Sequence, residues 1–211
     1  MNQVVKLKKL GNLSYFDKNT LSQIIELSDN SLYTNIKRWI KSGRLVQLKN
    51  GMYVTDIFLS TLPDKTPYAE FIANKLREPS YLSTEYVLQK YGVLTEAVYG
   101  YTSVTLKSKI MYQNNLATFS YNNISKKLFT GYVIKTYGKF SIFEATKAKA
   151  LFDYLYLKLF RVTNVTKELL ESFRLNLDEL TKPDFKELSR YCEITGIDKF
   201  LTLVKIIGEK K

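Results

Sequence analysis

Polar and cationic side chains recur at helical spacing between residues 30 and 41, opposite an apolar stripe. The apolar face of the helical projection holds Leu32, Ile36, Trp39 and Ile40. The polar face holds Asn30, Thr34, Lys37, Arg38 and Lys41. Exposed helix cations pair with phosphates, and hydrogen-bonding side chains beside them contact base edges. The predicted chemistry is therefore recognition of a polyanion through ion pairs and hydrogen bonds.

With duplex DNA as the partner, most polar side chains of this helix have an expected role. Ser31, Tyr33 and Thr34 lie toward its N-terminal end, where recognition helices contact bases and sugars. The three cations are expected to pair with phosphates, and a guanine edge is the alternative for Arg38. The solvated face of an ordinary surface helix has a similar composition. Whether this helix binds DNA or is only a surface helix is therefore judged from the neighbouring elements.

A second helix and a hairpin are predicted to flank the cationic helix. A helical pattern covers Leu13–Leu27, and residues 28–30 form the predicted turn and cap. After Gly43 the sequence predicts a two-stranded ribbon that turns at Asn50-Gly51. Lys49 and Asn50 at its tip are expected beside the DNA backbone or in the adjacent minor groove. Helix, turn, helix and hairpin in this order predict a winged helix-turn-helix.

The charge balance agrees with a polyanionic partner. The chain has 32 Lys and Arg against 20 Asp and Glu, a formal net charge of +12. Residues 1–62 contain nine of these cations and four acids, a net charge of +5, and the remaining 149 residues carry +7. The positive charge is thus densest in the N-terminal third, and a complex with nucleic acid is expected to weaken with salt.

The composition argues against most catalytic and metal chemistry. The absence of histidine excludes the usual imidazole bases, nucleophile–histidine pairs and histidine-ligated metals. The acids are scattered, and the sequence has no glycine-rich phosphate loop and no Asp-x-Asp pair. We therefore predict no catalytic residue, no metal and no cofactor.

The single cysteine and the hydropathy pattern bear on the cellular compartment. Cys192 has no second thiol to pair with and follows Leu188 and Tyr191 in a helical pattern, so an inert buried thiol is expected. The sequence shows neither an export signal nor an apolar run approaching about 18 residues. A protein of the reducing cytoplasm, without a membrane partner, is expected.

Pattern breaks around residues 60–67 predict two domains. The first, residues 1–62, would be the winged helix-turn-helix, and the second, residues 66–211, a mixed α/β domain. Predicted helices of the second domain cover 68–77, 83–91, 147–160, 166–175, 184–191 and 198–207. Predicted strands cover 103–106, 116–121, 132–137 and 140–143. The predicted fold class is α+β: a winged helix, then a small β-sheet and a helical C-terminal region.

Short blocks of the second domain resemble the central part of the AbiEi-type antitoxins, in the same order. The blocks are YLSTE (81–85), YGVLTEAVY (91–99), TSVT (102–105), FSY (119–121), KLFTGY (127–132) and ATKAKALFD (145–153). The segment from Gly43-Arg44-Leu45 to Gly51-Met52-Tyr53-Val54 likewise resembles the DNA-binding domain of that family. The resemblance covers roughly Leu13–Leu157.

The resemblance implies an antitoxin of a type IV toxin-antitoxin system. Such proteins bind inverted repeats in their own promoter and repress it, and they counter a nucleotidyltransferase-like toxin, typically without a stable complex. One departure is visible, because Lys147-Ala148 stands where the family often has Pro-Glu after Ala-Thr. Thr146 is kept as the expected cap, but any role of that acid is not carried over.

Two alternative interpretations remain at this point. The first is a winged-helix transcriptional regulator whose C-terminal domain senses a small molecule. The second, a nuclease or replication enzyme with a winged-helix targeting domain, is less favoured, because the sequence shows no acidic cluster for metal ions.

Overall fold

The computed structural model describes residues 3–209 and is mixed α+β. Its helices are α1 Gln3–Lys8, α2 Lys18–Ile25, α3 Asp29–Lys41, α4 Asp56–Ser60, α5 Thr66–Leu76, α6 Thr84–Lys90, α7 Lys147–Leu159, α8 Lys167–Ser172, α9 Lys182–Thr195 and α10 Asp198–Gly208. Its strands are β1 Phe16–Asp17, β2 Leu45–Lys49, β3 Met52–Thr55, β4 Ser80–Leu82, β5 Tyr101–Thr105, β6 Ile110–Gln113, β7 Thr118–Asn123, β8 Tyr132–Tyr137 and β9 Phe140–Ala145.

The chain forms two compact units that are not consecutive stretches of sequence. The first unit runs through Ala69 and also includes residues 112–118, and the second holds residues 70–111 and those from 119 onward. Within the first unit, the side-chain amide of Asn114 donates to the carbonyl of Leu48 at 2.8 Å. A segment far along the chain therefore supports the β2–β3 hairpin.

In the first unit, α1, α2 and α3 pack with a three-stranded antiparallel sheet of order β1-β3-β2. The predicted helix over Leu13–Leu27 is wrong at its start, because α2 begins only at Lys18. The chain before it is extended: Phe16 pairs with Tyr53, and the Asp17 carboxylate accepts from the Thr20 backbone N–H at 2.8 Å. Helix α1 was not predicted.

The second unit is organised around a six-stranded sheet of order β6-β7-β5-β4-β9-β8. Strands β4 and β9 are parallel, as are β5 and β7, while β4–β5 and β8–β9 are antiparallel. Strand β8 has the predicted bounds, and β5 and β7 lie within two residues of theirs. Strands β4 and β6 were not predicted, and β4 is a three-residue strand inside the sheet.

The helical region after β9 follows the prediction with shifted ends. Helix α9 extends beyond the predicted 184–191 because Thr181 and Asp184 form a capping box at its start and Gly196, at φ +67°, ends it. Helix α8 ends at Ser172, short of the predicted residue 175. Cys192 is buried as predicted, and burial raises the pKa of its thiol to about 12.

Replacing Thr181 with alanine is expected to lower the free energy of unfolding by about 1 kcal/mol, because α9 loses its N-cap. Urea denaturation followed by circular dichroism measures the change. Thr202→Ala is the matched control, since Thr202 is exposed in α10 and caps no helix. Equal stability of the two variants would contradict the assigned role of the capping box.

Candidate nucleic-acid interface

Helix α3 is held by its apolar stripe, which leaves the opposite face in solvent. Leu32, Ile36 and Trp39 are at most 4% exposed and pack in one core with Leu21 and Leu45. These are three of the four residues predicted from the 3.6-residue period, and the fourth, Ile40, is partly buried against the same core. Burial of this side fixes the rotation of the helix, so its polar residues face outward.

The cations of α3 are exposed and are not in ion pairs with acids of the described residues. Lys37, Arg38 and Lys41 are all exposed, and within residues 3–209 none of them has an acidic partner within ion-pairing distance. Tyr33 is 56% exposed, and the Lys37 ammonium lies 4.9 Å from its ring centroid. This face therefore offers positive charge and an exposed phenol to a partner.

Local hydrogen bonds engage the smaller polar side chains of α3. The Thr34 hydroxyl donates to the Asn30 carbonyl at 3.0 Å, and the Ser28 hydroxyl donates to that of Ser31 at 3.0 Å. Asn35, which was not predicted as a site residue, donates to the Ser31 carbonyl at 2.8 Å. Asn30, Ser31 and Thr34 are exposed as expected, although the Ser31 and Thr34 hydroxyls already take part in local hydrogen bonds.

One acid lies at the start of the cationic helix. Asp29 is exposed in the first turn of α3, where a negative charge interacts favourably with the helix dipole. The Lys18 ammonium of α2 lies 3.2 Å from its carboxylate and offsets its charge. The pair keeps the N-terminal end of α3 close to neutral.

The hairpin places the remaining predicted contacts at its tip. Asn50 is exposed in the turn, Lys49 is partly buried at the end of β2, and Gly51 adopts φ +76°. Strand β2 packs against α3, so helix and hairpin belong to one unit. The left-handed conformation at the second turn position favours the glycine found there.

The structure also reveals a buried polar network that sequence reasoning did not find. In the second unit, Asp153 is fully buried and accepts hydrogen bonds from Tyr81 Oη at 3.0 Å, Ser83 Oγ at 2.7 Å and Lys149 Nζ at 2.5 Å. Burial lowers the pKa of the Lys149 ammonium and raises that of the Asp153 carboxyl. All four residues are buried, so the network links β4, the loop after it and α7 inside the core of the second unit.

A second ion cluster joins several elements of the same unit. Glu144 is fully buried between the ammonium groups of Lys90 and Lys135, each 2.5 Å away. Lys90 also contacts Glu70 at 2.7 Å, and Tyr86 Oη donates to the same carboxylate at 2.6 Å. Burial alone would lower the pKa of Lys90, but its hydrogen bonds to Glu144 and Glu70 raise it.

Two further findings concern membrane spans and metal ligands. Among residues 3–209, no helix is long and apolar enough to cross a membrane. In the same range, no group of three or more acids or thiols is arranged to hold a metal ion.

No profile of a known protein family matches this chain, and no curated protein matches it. The blocks described above are thus the basis of the resemblance. Two of them meet in the structure, because Tyr81 and Ser83 of one block contact Asp153 of another. These block residues therefore lie in the core of the second unit.

Proposed function

We propose that the first unit is a winged helix-turn-helix that binds double-stranded DNA through α3, with the β2–β3 hairpin as the wing. The main support for this proposal is the exposed face formed by Lys37, Arg38 and Lys41. These residues have no acidic partner among the described residues, and they lie opposite a buried stripe. The element order and the β1-β3-β2 sheet support the proposal.

The dimensions of α3 suit a major groove. Its 13 residues span about 20 Å, and a helix with side chains is about 10–12 Å across. A B-DNA major groove is about 12 Å wide and admits one helix. In this arrangement Lys37 and Lys41 lie beside phosphates, Tyr33 contacts base edges, and Arg38 pairs with either a phosphate or a guanine edge.

We also propose that the chain is a type IV antitoxin that represses its own promoter in the cytoplasm, binding inverted repeats there. This part of the proposal is supported by the collinear blocks of the second unit. The second unit then counters a nucleotidyltransferase-like toxin, with no stable complex required. Because several block residues are buried, we expect the surface responsible for that activity elsewhere on the second unit.

Affinity for the upstream promoter DNA is expected to fall steeply with salt. Neutralising about four to six phosphates per protomer gives a slope of log affinity against log salt of roughly −4 to −5. Fluorescence anisotropy with the promoter duplex, and with a shuffled duplex of equal length, measures both slope and selectivity. Equal affinity for the two duplexes, or no binding at low salt, would refute sequence-specific recognition.

The two proposed activities are expected to separate in cells. The variant Lys37→Ala/Arg38→Ala should derepress a reporter under the native promoter and still rescue growth from the cognate toxin, because the changed side chains belong to the first unit. Reporter output and growth under co-expression are the two measurements. Loss of rescue by this variant, at normal protein levels, would argue against the division of labour.

A further inference from the structure

The second unit contains a cleft of about 600 Å³, lined by residues of α6 and by the ends of β7 and α7. This volume lies within the range of small-molecule sites, about 300–1,000 Å³. The residues that matter here are Thr84, Glu85, Lys109, Asn122, Tyr156 and Phe160. We refer to it as the Thr84 cleft.

Thr84 combines two unfavourable features at the wall of this cleft. Its backbone has φ +54°, a left-handed conformation that is rare for a β-branched residue. Its side chain is 1% exposed, and its hydroxyl oxygen has no hydrogen-bond partner within residues 3–209. Buried hydroxyls normally have a partner, and strained residues cluster at ligand sites. Thr84 is therefore a strained residue with an unsatisfied hydroxyl in the wall of this cleft.

Phe160, just after α7, offers a stacking surface beside the cleft. It is 65% exposed, whereas the ring of Tyr156, 6.2 Å away, is already stacked against Phe152 and Phe200. Exposed ring faces beside a cavity favour a planar ligand, since stacking tolerates any flat π-system.

Among the other lining residues, Asn122 and Glu85 carry polar groups that suit one ligand class. Asn122 is partly buried, and its side-chain amide makes no hydrogen bond to the described part of the chain. A carboxamide presents a donor and an acceptor in one plane, which suits the edge of a nucleobase. Glu85 supplies a carboxylate, the group that accepts hydrogen bonds from ribose hydroxyls in nucleotide sites.

The cleft also carries positive charge. Lys109 is exposed and forms no ion pair within residues 3–209, whereas Lys158, also at the cleft, lies 3.9 Å from Glu85. Lys109 is therefore the uncompensated cation, and an ammonium of this kind pairs with phosphate. We propose that the Thr84 cleft binds a nucleoside 5′-monophosphate. The inference is independent of the proposed DNA binding, and its test contains no DNA.

The test uses the full chain with the four ribonucleoside 5′-monophosphates, the matching nucleosides and inorganic phosphate as probes. Calorimetric titration and thermal melting are the readouts. At least one nucleotide is expected to bind and raise the melting temperature, with nucleoside and phosphate each weaker by about tenfold or more, because each lacks part of the contacts. Absence of binding by all four nucleotides, or equal binding of phosphate alone, would overturn the proposal.

Thr84→Val tests the unpartnered hydroxyl, since valine keeps the branched shape. The unliganded variant is expected to melt at the same or a higher temperature, and its nucleotide affinity to fall about tenfold. A lower melting temperature with unchanged affinity would make the hydroxyl structural and refute its role in binding.

Phe160→Ala tests the stacking surface without disturbing the core. Loss of a stacked ring is expected to weaken nucleotide binding roughly tenfold. Tyr99→Ala is the matched control, because Tyr99 is 93% exposed in the same unit and does not line the cleft. Equal affinities of the two variants would place the ligand elsewhere.

Discussion

Replacing Asp153 with alanine is expected to lower the free energy of unfolding of the second unit by about 3–5 kcal/mol. The change leaves the Lys149 ammonium in a core where the rings of Tyr81, Phe152 and Tyr191 lie 4.7–5.9 Å from it. It also removes the acceptor of the Tyr81 and Ser83 hydroxyls. Leaving a buried charge and two buried donors without partners destabilises the fold far more than the loss of the hydrogen bonds alone.

Urea denaturation can assign this loss to the second unit. Trp39 is the single tryptophan and lies in the core of the first unit, so its fluorescence follows that unit, while circular dichroism follows both. The double variant Lys149→Met/Asp153→Leu is expected to recover much of the loss because it removes both charges. Glu193→Ala, at an exposed position of α9, should stay within about 0.5 kcal/mol of the wild type. A single variant as stable as this control would disprove the proposed role of the network.

The double variant Lys37→Ala/Arg38→Ala is expected to bind promoter DNA more weakly by about 2–4 kcal/mol, or roughly 30- to 1,000-fold. Each side chain would lose one charge-assisted contact, and Arg38 would also lose any bidentate contact with guanine. Anisotropy at low salt with the native promoter duplex measures the loss. Unchanged Trp39 emission would verify that the core behind the helix is intact.

A matched control removes the same charge from another part of the first unit. Lys8→Ala/Lys9→Ala also lowers the net charge by two, and both residues are exposed in or just after α1. This variant is expected to lose only the general electrostatic contribution, a small fraction of the effect. Similar losses in the two double variants would mean that α3 is not the recognition surface.

Local periodicity predicted the parts of the fold that depend on neighbouring residues. The buried stripe of α3 follows from the spacing of Leu32, Ile36 and Trp39, and the hairpin turn follows from Asn50-Gly51. Strands β1 and β4 have two and three residues, too few for alternation to be seen. The start of α2 was missed because its cap, Asp17, lies within a stretch that continues the helical pattern.

Long-range polar contacts could not be predicted in the same way. Asp153 meets Tyr81 and Ser83 across 72 and 70 positions of sequence, and only its i,i+4 spacing from Lys149 was a local signal. The left-handed backbone of Thr84 had no signal, since glycine or asparagine is the usual residue there. The exposed cations of α3 were predictable because solvent exposure follows directly from amphipathicity.

The grouping of residues 112–118 with the first unit has a consequence for how the protein is made. A ribosome delivers the chain from its N-terminus, and domains generally fold in that order during synthesis. Here the N-terminal unit still lacks the Asn114 amide that donates to Leu48 until more than forty residues of the other unit have been translated. Its assembly is thus completed only after Asn114 has been translated, and a nascent chain halted before residue 112 would carry the hairpin without that support.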